Sequence, residues 1–312
     1  MAESIVDIIK GVLKCLGLVV YYWLIAIVKA IVPTSWQAKD ISGETVLITG
    51  AGSGIGRLMA LKFARLKCRL VLWDVNQTGN EETLAMCKEY GVTVKAYKID
   101  LCDKDDVYHV ANRVKEEVGQ VDILVNNAGI VTGKKFLECS DMMIQKTMEV
   151  NIMAHFWTVK SFLPDMMSRN HGHIVNIASS AGLVGVTGLA DYCASKFAAV
   201  GFDESLRFEL EAQGKDGIYT TVVCPFFINT GMFEGAKTRF PFLLPIVEPE
   251  YAAGKIVDAV LCNQSMLLIP RILYCFFALK GFLPTSCLHV ISKHLCINNC
   301  MDDFKGRQPK QD

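Results

Sequence analysis

The chain has no excess of charge of either sign, and this absence narrows the range of its partners. Its 312 residues contain 32 lysines and arginines and 32 aspartates and glutamates, which gives a formal net charge of zero at pH 7. A nucleic-acid-binding protein usually carries a basic patch or stripe that neutralises phosphates. The balance of charges therefore disfavours a nucleic-acid partner.

Paired cysteines are also missing, although the chain contains 12 cysteines. They are scattered, and the closest approach to a pair, Cys296 and Cys300, has neither a second pair nor two histidines to complete a zinc site. Disulfide frameworks are typical of small secreted domains. We therefore expect reduced thiols in a cytosol-facing protein and no bound metal.

Charged residues are scarce, at 21% of the chain, whereas hydrophobic residues make up 51%. This composition excludes a disordered chain, because so many apolar residues can bury a core. The length is sufficient for one large α/β domain with additional segments. The apolar excess also raises the question of membrane contact.

The apolar residues near the amino end form one run, Gly11 to Val32, in which Cys15 to Val28 carries no charge. This inner run is shorter than the roughly 20 residues of a spanning helix, so it crosses a bilayer only if Lys14 and Lys29 reach the two interfaces. A helix that lies in the interface plane is the alternative. In both cases we predict a membrane anchor over residues 1–36.

A second apolar segment occupies residues 271–312. It begins with Arg271 to Leu283 and continues after Pro284 through Cys296, before a polar tail. Three roles remain open for this segment: it could cover the core, line a substrate entrance or dock on a bilayer.

Between these ends, residues 40–270 alternate short β-branched runs with longer helical patterns. This alternation is typical of a parallel sheet covered by helices, so we predict an α/β Rossmann fold with a doubly wound sheet of seven parallel strands. Ligands of such sheets bind beyond the carboxyl ends of the strands. The predicted strands are Val46–Thr49, Leu70–Trp73, Val94–Ile99, Ile123–Val125, His173–Ile177, Tyr219–Cys224 and Met266–Ile269.

A glycine-rich stretch, Thr49 to Gly56, joins the first predicted strand to the helical pattern Arg57 to Lys67. Glycines permit a tight turn and let the backbone approach a pyrophosphate, while the amino end of a helix supplies N–H donors. Its position between a strand and a helix predicts a dinucleotide site. The cofactor-binding candidates in this stretch are Gly50, Ser53, Gly54, Ile55 and Gly56.

An acidic residue follows at the end of the second predicted strand. Asp74 lies 18 residues beyond Gly56, where a carboxylate would bind ribose hydroxyls and repel the 2′-phosphate of NADP, so we predict NAD as the cofactor. Arg57 supports the NADP alternative, although a solvated position on the first helical turn is the simpler interpretation. Asp100, after the third strand, is a candidate for binding the adenine amino group or for capping the next helix.

Tyr192 and Lys196 are four residues apart in a helical pattern and therefore share one helix face. A nearby ammonium would favour the phenolate, so this pair could act as a general base for an alcohol. Ser179 lies thirteen residues upstream of Tyr192, at the end of a strand, where its hydroxyl could hold the substrate oxygen. We predict that these three residues are catalytic.

Together these motifs resemble the short-chain dehydrogenase/reductase family over residues Glu44 to Pro270. The resemblance rests on the glycine loop, on Asn126-Asn127-Ala128-Gly129, and on the catalytic four Asn151, Ser179, Tyr192 and Lys196.

The resemblance implies further roles for several residues. Asn127, Ala128 and Gly129 would brace the sheet beside the cofactor. Asn151 would position a water and the lysine, and Lys196 would also hold the nicotinamide ribose. Ile228 and Thr230 match positions that contact the nicotinamide carboxamide, although phenylalanine follows Pro225 where the family usually has glycine.

Within the family, the chain resembles the membrane-bound retinol and hydroxysteroid dehydrogenases in three stretches: Ile123–Met143, Gly188–Phe202 and Val222–Thr238. The resemblance implies oxidation of all-trans-retinol to retinal with NAD, by a cytosol-facing domain on the endoplasmic reticulum membrane, with lipid droplets as a further location and a homodimer as a further expectation.

Three hypotheses follow from this resemblance and from the apolar residues expected around the substrate, Leu183–Ala190 and Gly231–Val247. The first is a retinol dehydrogenase, because an apolar lining suits a long lipophilic alcohol. The second is a 17β-hydroxysteroid dehydrogenase. The third is a catalytically silent protein that binds or organises a lipid surface.

Overall fold

The structure, a computed structural model, describes residues 4–306. The chain divides after Asp40 into two compact units. The first contains helices α1 (Ile5–Ile31) and α2 (Thr34–Gln37). The second begins at Ile41 and contains the sheet, its covering helices and the C-terminal segment.

Helix α1 is longer than the apolar run that predicts it. It begins at Ile5 rather than Gly11, because the Ser4 side chain caps it by accepting a hydrogen bond from the Asp7 N–H. None of its 27 residues is buried. At 1.5 Å per residue the helix is about 40 Å long, which exceeds the roughly 30 Å hydrocarbon core of a bilayer.

The second unit is built on a parallel sheet of seven strands in the order β3-β2-β1-β4-β5-β6-β7. The predicted doubly wound sheet is therefore confirmed. The strands are β1 (Thr45–Thr49), β2 (Arg69–Asp74), β3 (Val94–Lys98), β4 (Ile123–Asn126), β5 (Gly172–Ile177), β6 (Ile218–Pro225) and β7 (Met266–Ile269).

Five strands extend one residue beyond the predicted run at one or both ends, because the flanking residues still pair. Thr45 is buried and donates its N–H to Asp122 Oδ2 at 2.9 Å, which anchors the start of β1. Asn126 pairs in register with Asn176 at the end of β4. Strand β3, in contrast, ends at Lys98, and the predicted Ile99 lies outside it.

Helices cover both faces of this sheet. Along β1, Val46 and Ile48 pack on one face in a cluster with Phe63, whereas Leu47 packs on the other with Phe162. The helices are α3 (Gly54–Arg65), α4 (Gln77–Lys88), α5 (Lys104–Glu117), α6 (Asp141–Met148), α7 (Ala154–Arg169), α8 (Ala190–Ala212), α9 (Pro249–Leu261), α10 (Ile272–Phe282) and α11 (Thr285–His294).

The strand order reverses direction at β1. The chain moves outward from β1 to β2 and β3, then returns to β4 on the other side of β1. This arrangement leaves a crevice beyond the carboxyl ends of β1 and β4, which is where open α/β sheets bind ligands. The residues that follow these strands therefore form the candidate site.

The C-terminal helices pack on the sheet unit. Leu273 of α10 is buried, and the Tyr274 hydroxyl bonds to the Met266 carbonyl at 3.0 Å and to the Leu268 N–H at 3.2 Å. Lys280, near the end of α10, donates to the carbonyl of Leu183. Residues 271–306 therefore continue the second unit.

Candidate active site

The glycine loop after β1 is packed too tightly for side chains. A Cβ atom on Gly56 would overlap the carbonyl oxygen of Gly50, and one on Gly50 would lie 2.9 Å from the Cα of Ala128. Gly50 and Gly54 also have positive φ angles of 65° and 55°, which favour glycine. Ser53 is the N-cap residue of α3, and Ile55 lies in its first turn.

Asp74 fixes the loop from the neighbouring strand. Its Oδ2 accepts the Gly52 N–H at 2.8 Å, and its Oδ1 accepts the Asn76 N–H at 2.8 Å. The carboxylate is thus held at the end of β2, directly beside the glycine loop. This position suits a group that binds a ribose diol and excludes a phosphate.

Arg57 is not the solvated residue that its helical position suggests. Its guanidinium donates to Thr83 Oγ1, to the carbonyls of Gly52 and Gly79, and to Glu82 Oε2, at distances of 2.6 to 3.0 Å. The hydrogen bonds of the guanidinium therefore link α3 to α4. This arrangement removes the main signal for NADP.

Asp100 does not cap the helix that follows it. Asp103 is the N-cap of α5 and accepts the N–H groups of Asp105 and Asp106. Asp100 is exposed after β3, where its Oδ1 accepts the Cys102 N–H at 3.0 Å. Of the two expectations for Asp100, the cap is wrong and adenine binding remains a prediction.

Asn127 joins the loops that follow β4 and β1. Its Nδ2 donates to the Thr49 carbonyl at 2.8 Å and to the Gly50 carbonyl at 3.2 Å. Thr49 Oγ1 in turn accepts the N–H groups of Asn127 and Ala128 at 2.9 and 3.0 Å. Sequence reasoning did not identify Thr49, whose only signal was its place at the end of a strand before the glycines.

Asn151 lies in a π-helical turn, Glu149–Met153, between α6 and α7. Such turns often occur at functional sites. Its side chain accepts the Ile130 N–H at 2.8 Å and donates to the Ile130 carbonyl at 2.9 Å and to Ser195 Oγ at 3.0 Å. Asn151 therefore connects the segment after β4 to α8, next to Lys196.

The structure brings Tyr192 and Ser179 together, as predicted. The two residues lie at opposite ends of the segment that joins β5 to α8. Tyr192 lies in the first turn of α8, whereas Ser179 lies two residues after β5. Both side chains are buried. Burial raises the pKa of the Tyr192 phenol, and the nearby Ser179 hydroxyl, which favours the phenolate, opposes this effect.

Lys196 shares the α8 face with Tyr192, and its Nζ lies 5.7 Å from the tyrosine ring centre. The ammonium donates to the Ile177 carbonyl at 2.8 Å. Burial lowers the pKa of Lys196 to about 8. The expected lowering of the phenol pKa by Lys196 is therefore not seen in the protein alone, where desolvation dominates for both groups.

The crevice contains a place for a dinucleotide. A Cβ on Gly129 would lie 3.4 Å from Asn151 Oδ1 and 3.6 Å from Lys196 Nζ. Because Gly129 has no side chain, the space beside Lys196 stays open. At the glycine loop, the position of a Gly54 Cβ is 3.7 Å from the Thr230 side chain. Ile228 is buried and pairs with Val247. These residues fit a nucleotide that runs from Asp74 to Lys196.

An apolar cavity opens beside Tyr192 and Ser179. Its lining includes three residues of the predicted stretch Leu183–Ala190 and four residues of the predicted stretch Gly231–Val247. Phe242 does not contribute, because it is 85% exposed. The cavity is lined by Ser179, Ser180, Ala181, Val184, Val186, Leu189, Tyr192, Phe226, Phe227, Phe233, Lys237, Thr238, Leu244, Leu295, Ile297 and Cys300.

Several of these lining residues were not predicted from the sequence as part of the site, and three of them come from the C-terminal segment. Leu295, Ile297 and Cys300 lie near the carboxyl end, more than 100 residues after Tyr192. Their apolar character was the only signal, and lining a substrate entrance was one of three open roles for that segment. Within residues 4–306, no group of three or more metal-binding side chains comes together, and none of the twelve cysteines forms a disulfide.

A family model described as short chain dehydrogenase matches residues 44–239. The chain belongs to the short-chain dehydrogenase family. Short-chain dehydrogenases of solved structure share its fold. One, from Burkholderia phymatum in complex with NAD, has a TM-score of 0.70 and 27% identity, covering 78% of this chain and 94% of that one.

Two proteins named as retinol dehydrogenases are similar over most of the chain. Epidermal retinol dehydrogenase 2 of Homo sapiens is 55% identical over 296 residues, covering 95% of each chain. Retinol dehydrogenase 10-B of Danio rerio is 45% identical and covers 87% of this chain and 88% of its own. The similarity therefore includes both terminal segments as well as the sheet.

Proposed function

We propose that this short-chain dehydrogenase oxidises a lipophilic alcohol, all-trans-retinol, to its aldehyde with NAD. The observation that carries the proposal is the buried Tyr192–Ser179 pair at the wall of an apolar cavity. A hydroxyl-bearing carbon placed there has polar partners for its oxygen and apolar surroundings for the rest of the molecule. The names of the similar retinol dehydrogenases support retinol as the substrate.

The two hydroxyl side chains have different tasks. Ser179 donates a hydrogen bond to the substrate oxygen and holds it against the tyrosine. Tyr192 accepts the hydroxyl proton as the carbonyl forms. Since burial raises the pKa of Tyr192, the phenolate requires positive charge nearby.

Lys196 supplies part of that charge. Its side chain lies on the same helix face as Tyr192, and its ammonium donates a hydrogen bond to the Ile177 carbonyl. Asn151 positions this face through its hydrogen bond to Ser195. These contacts place a cation beside the phenol without exposing either group to water.

NAD, when bound, carries a positively charged nicotinamide that accepts the hydrogen and two electrons from the carbinol carbon. The glycine loop would hold its pyrophosphate, because the backbone there has no side chains to block approach. Asp74 would bind the adenosine ribose hydroxyls, while Ile228 and Thr230 would lie beside the carboxamide. Lys196 would bind the nicotinamide ribose.

The Tyr192→Phe variant tests this proposal. Removing the proton acceptor should lower kcat for retinol oxidation by a factor of about 10² to 10⁴, because general base catalysis is lost while the ring remains. The measurement is retinal formation by membranes containing the full chain and NAD. Tyr251→Phe is the matched control, because Tyr251 is 51% exposed on α9 and should keep the wild-type rate.

Wild-type turnover by Tyr192→Phe would contradict the assignment of the base. Parallel assays with a 17β-hydroxysteroid test the substrate: a larger kcat/KM for the steroid would overturn retinol as the preferred alcohol. Failure to oxidise any alcohol, with NAD still bound, would favour the silent binding protein.

We also propose that α1 anchors the enzyme in the endoplasmic reticulum membrane with the catalytic unit facing the cytosol, and that lipid droplets are a second location. Its exposed apolar surface over residues 5–31 supports this placement. Deletion of residues 1–36 should move the chain from the membrane fraction to the supernatant. Retention of the truncated chain on membranes would assign anchoring to another segment.

A further inference from the structure

The carboxyl-terminal residues 295–305, which we call the C-terminal strap, form one wall of the substrate cavity. Leu295, Ile297 and Cys300 line it on the strap side, whereas Tyr192 and Ser179 line it on the catalytic side. The strap is therefore part of the site rather than a cover over the core.

Packing holds the strap beside the catalytic tyrosine. Met301 is 8% exposed and belongs to the same apolar cluster as Tyr192. The Phe233 ring lies 5.6 Å from the ring of Tyr192 and 6.5 Å from that of Phe304. A single aromatic side chain thus links the catalytic residue to the strap.

Backbone contacts fasten the strap to the loop after β6. The Lys237 N–H donates to the Cys300 carbonyl at 2.9 Å, and the Lys305 N–H donates to the Glu234 carbonyl at 2.9 Å. Gly235 has a φ of 88°, and a Cβ there would overlap the carbonyl oxygen of Asp303. The glycine at position 235 therefore lets the strap backbone pack closely against the loop.

The strap is also fastened by long side-chain hydrogen bonds, from Arg239 to Cys296 Sγ at 3.6 Å and from Thr187 to Asn298 at 3.5 Å, and by a surface ion pair. Lys237 Nζ lies 2.5 Å from Asp303 Oδ2, with 73% and 60% of the two side chains exposed. Pairs this exposed are weak, because solvent screens them. The strap can therefore separate from the loop without breaking a buried ion pair.

The size of the cavity favours such separation. The space beside Tyr192 that a water-sized sphere can occupy is about 60 Å³, whereas pockets that bury small molecules typically measure about 300 to 1,000 Å³. Movement of one wall would let an alcohol with a long hydrocarbon chain be buried there. The strap is held by two backbone hydrogen bonds, by exposed side-chain contacts and by the packing of Met301 and Phe304, whereas Tyr192 lies in α8 and Ser179 directly follows β5.

We propose that the C-terminal strap is the movable wall of the substrate site and that Ile297 determines how large an alcohol the enzyme accepts. This inference rests on the proposed alcohol oxidation and assigns specificity to a segment outside the matched family region, residues 44–239. A larger side chain at position 297 should exclude long alcohols and leave short ones able to reach Tyr192.

The test compares Ile297→Trp with Val290→Trp in the full chain. Val290 is 70% exposed on α11 and does not line the cavity, so its substitution adds the same bulk outside the site. Two probes are used, all-trans-retinol and the short allylic alcohol 3-methylbut-2-en-1-ol. We expect Ile297→Trp to lower kcat/KM for retinol by a factor of about 10 to 100 relative to the short alcohol. Val290→Trp should leave that ratio unchanged.

Retinol binding, measured by quenching of protein fluorescence, separates the two proposals. If the wild type oxidises retinol and Ile297→Trp leaves the ratio and the Kd unchanged, the role of the strap is overturned while the function stands. If retinol binds and Ile297→Trp weakens its binding without any oxidation by the wild type, the strap proposal stands and the function fails. A wild-type chain that neither binds nor oxidises either alcohol overturns both.

Discussion

The two halves of the proposed active site are built in different ways. The proposed cofactor side consists of the glycine loop 49–56, Asp74 and Asn127, and its geometry depends on backbone atoms in close contact. The proposed substrate side consists of residues 179–189, 226–244 and the C-terminal strap, and apolar side chains form most of its surface.

This difference reflects the two ligands. A pyrophosphate is bound by backbone N–H groups, and binding is lost when these groups shift. Glycines at fixed spacing are therefore required. The binding of a hydrocarbon depends on how much apolar surface is buried, and many combinations of apolar residues can supply that surface. The cofactor side should therefore be intolerant of substitution and the substrate side adaptable.

The largest effect is expected on the cofactor side from Gly56→Ala. The added methyl overlaps the Gly50 carbonyl, so the loop must move. We expect kcat/KM for NAD to fall by at least about 100-fold, because displacement of a binding loop by about 1 Å has effects of this size. Gly201→Ala is the control, because a Cβ there meets no atom within 4 Å in the middle of α8.

The readouts for Gly56→Ala are NADH affinity by fluorescence and steady-state kinetics. The control should bind NADH normally and unfold at an equal or higher urea concentration, since alanine is the better helix former. Wild-type NADH affinity in Gly56→Ala would show that the cofactor side adapts as readily as the substrate side, and the contrast would be lost.

A smaller effect is expected from Asp74→Ala, which removes a side chain and leaves the loop glycines in place. Loss of a charged hydrogen-bonding partner should weaken NAD selectively, changing the NAD to NADP ratio of kcat/KM by about 10- to 100-fold. Asp105→Asn is the control, because Asp105 is an exposed residue of α5. An unchanged ratio would mean that Asp74 only supports the Gly52 N–H.

The smallest effect is expected on the substrate side from Phe233→Leu. Leucine keeps the position apolar, so KM for retinol should rise by less than about 10-fold while kcat changes little. The measurement is steady-state retinol oxidation at saturating NAD, with Phe242→Leu as the exposed control. A fall in kcat comparable to that of Tyr192→Phe would show that Phe233 positions the tyrosine. The substrate side would then tolerate substitution as poorly as the cofactor side.

The sequence predicted the two sides unequally well. Glycines, Asp74 and the pair Tyr192–Lys196 lie at spacings fixed by a strand, a turn or one helix, so local patterns were sufficient to propose them. The partners of Arg57 were not predictable, because Gly79, Thr83 and Glu82 approach it only when α4 packs against α3. The same is true of Thr49, whose hydroxyl meets Asn127 and Ala128 across adjacent strands.

The amino-acid sequence by itself predicted the alternation of strands and helices, the glycine loop and the residue types of the proposed catalytic group, because each is a pattern within a short stretch of chain. Only the tertiary structure decided that desolvation raises the pKa of Tyr192, that Arg57 is committed to helix packing, and that Ile297 faces the substrate cavity. Burial and long-range contact depend on which distant segments meet, and no local pattern records that.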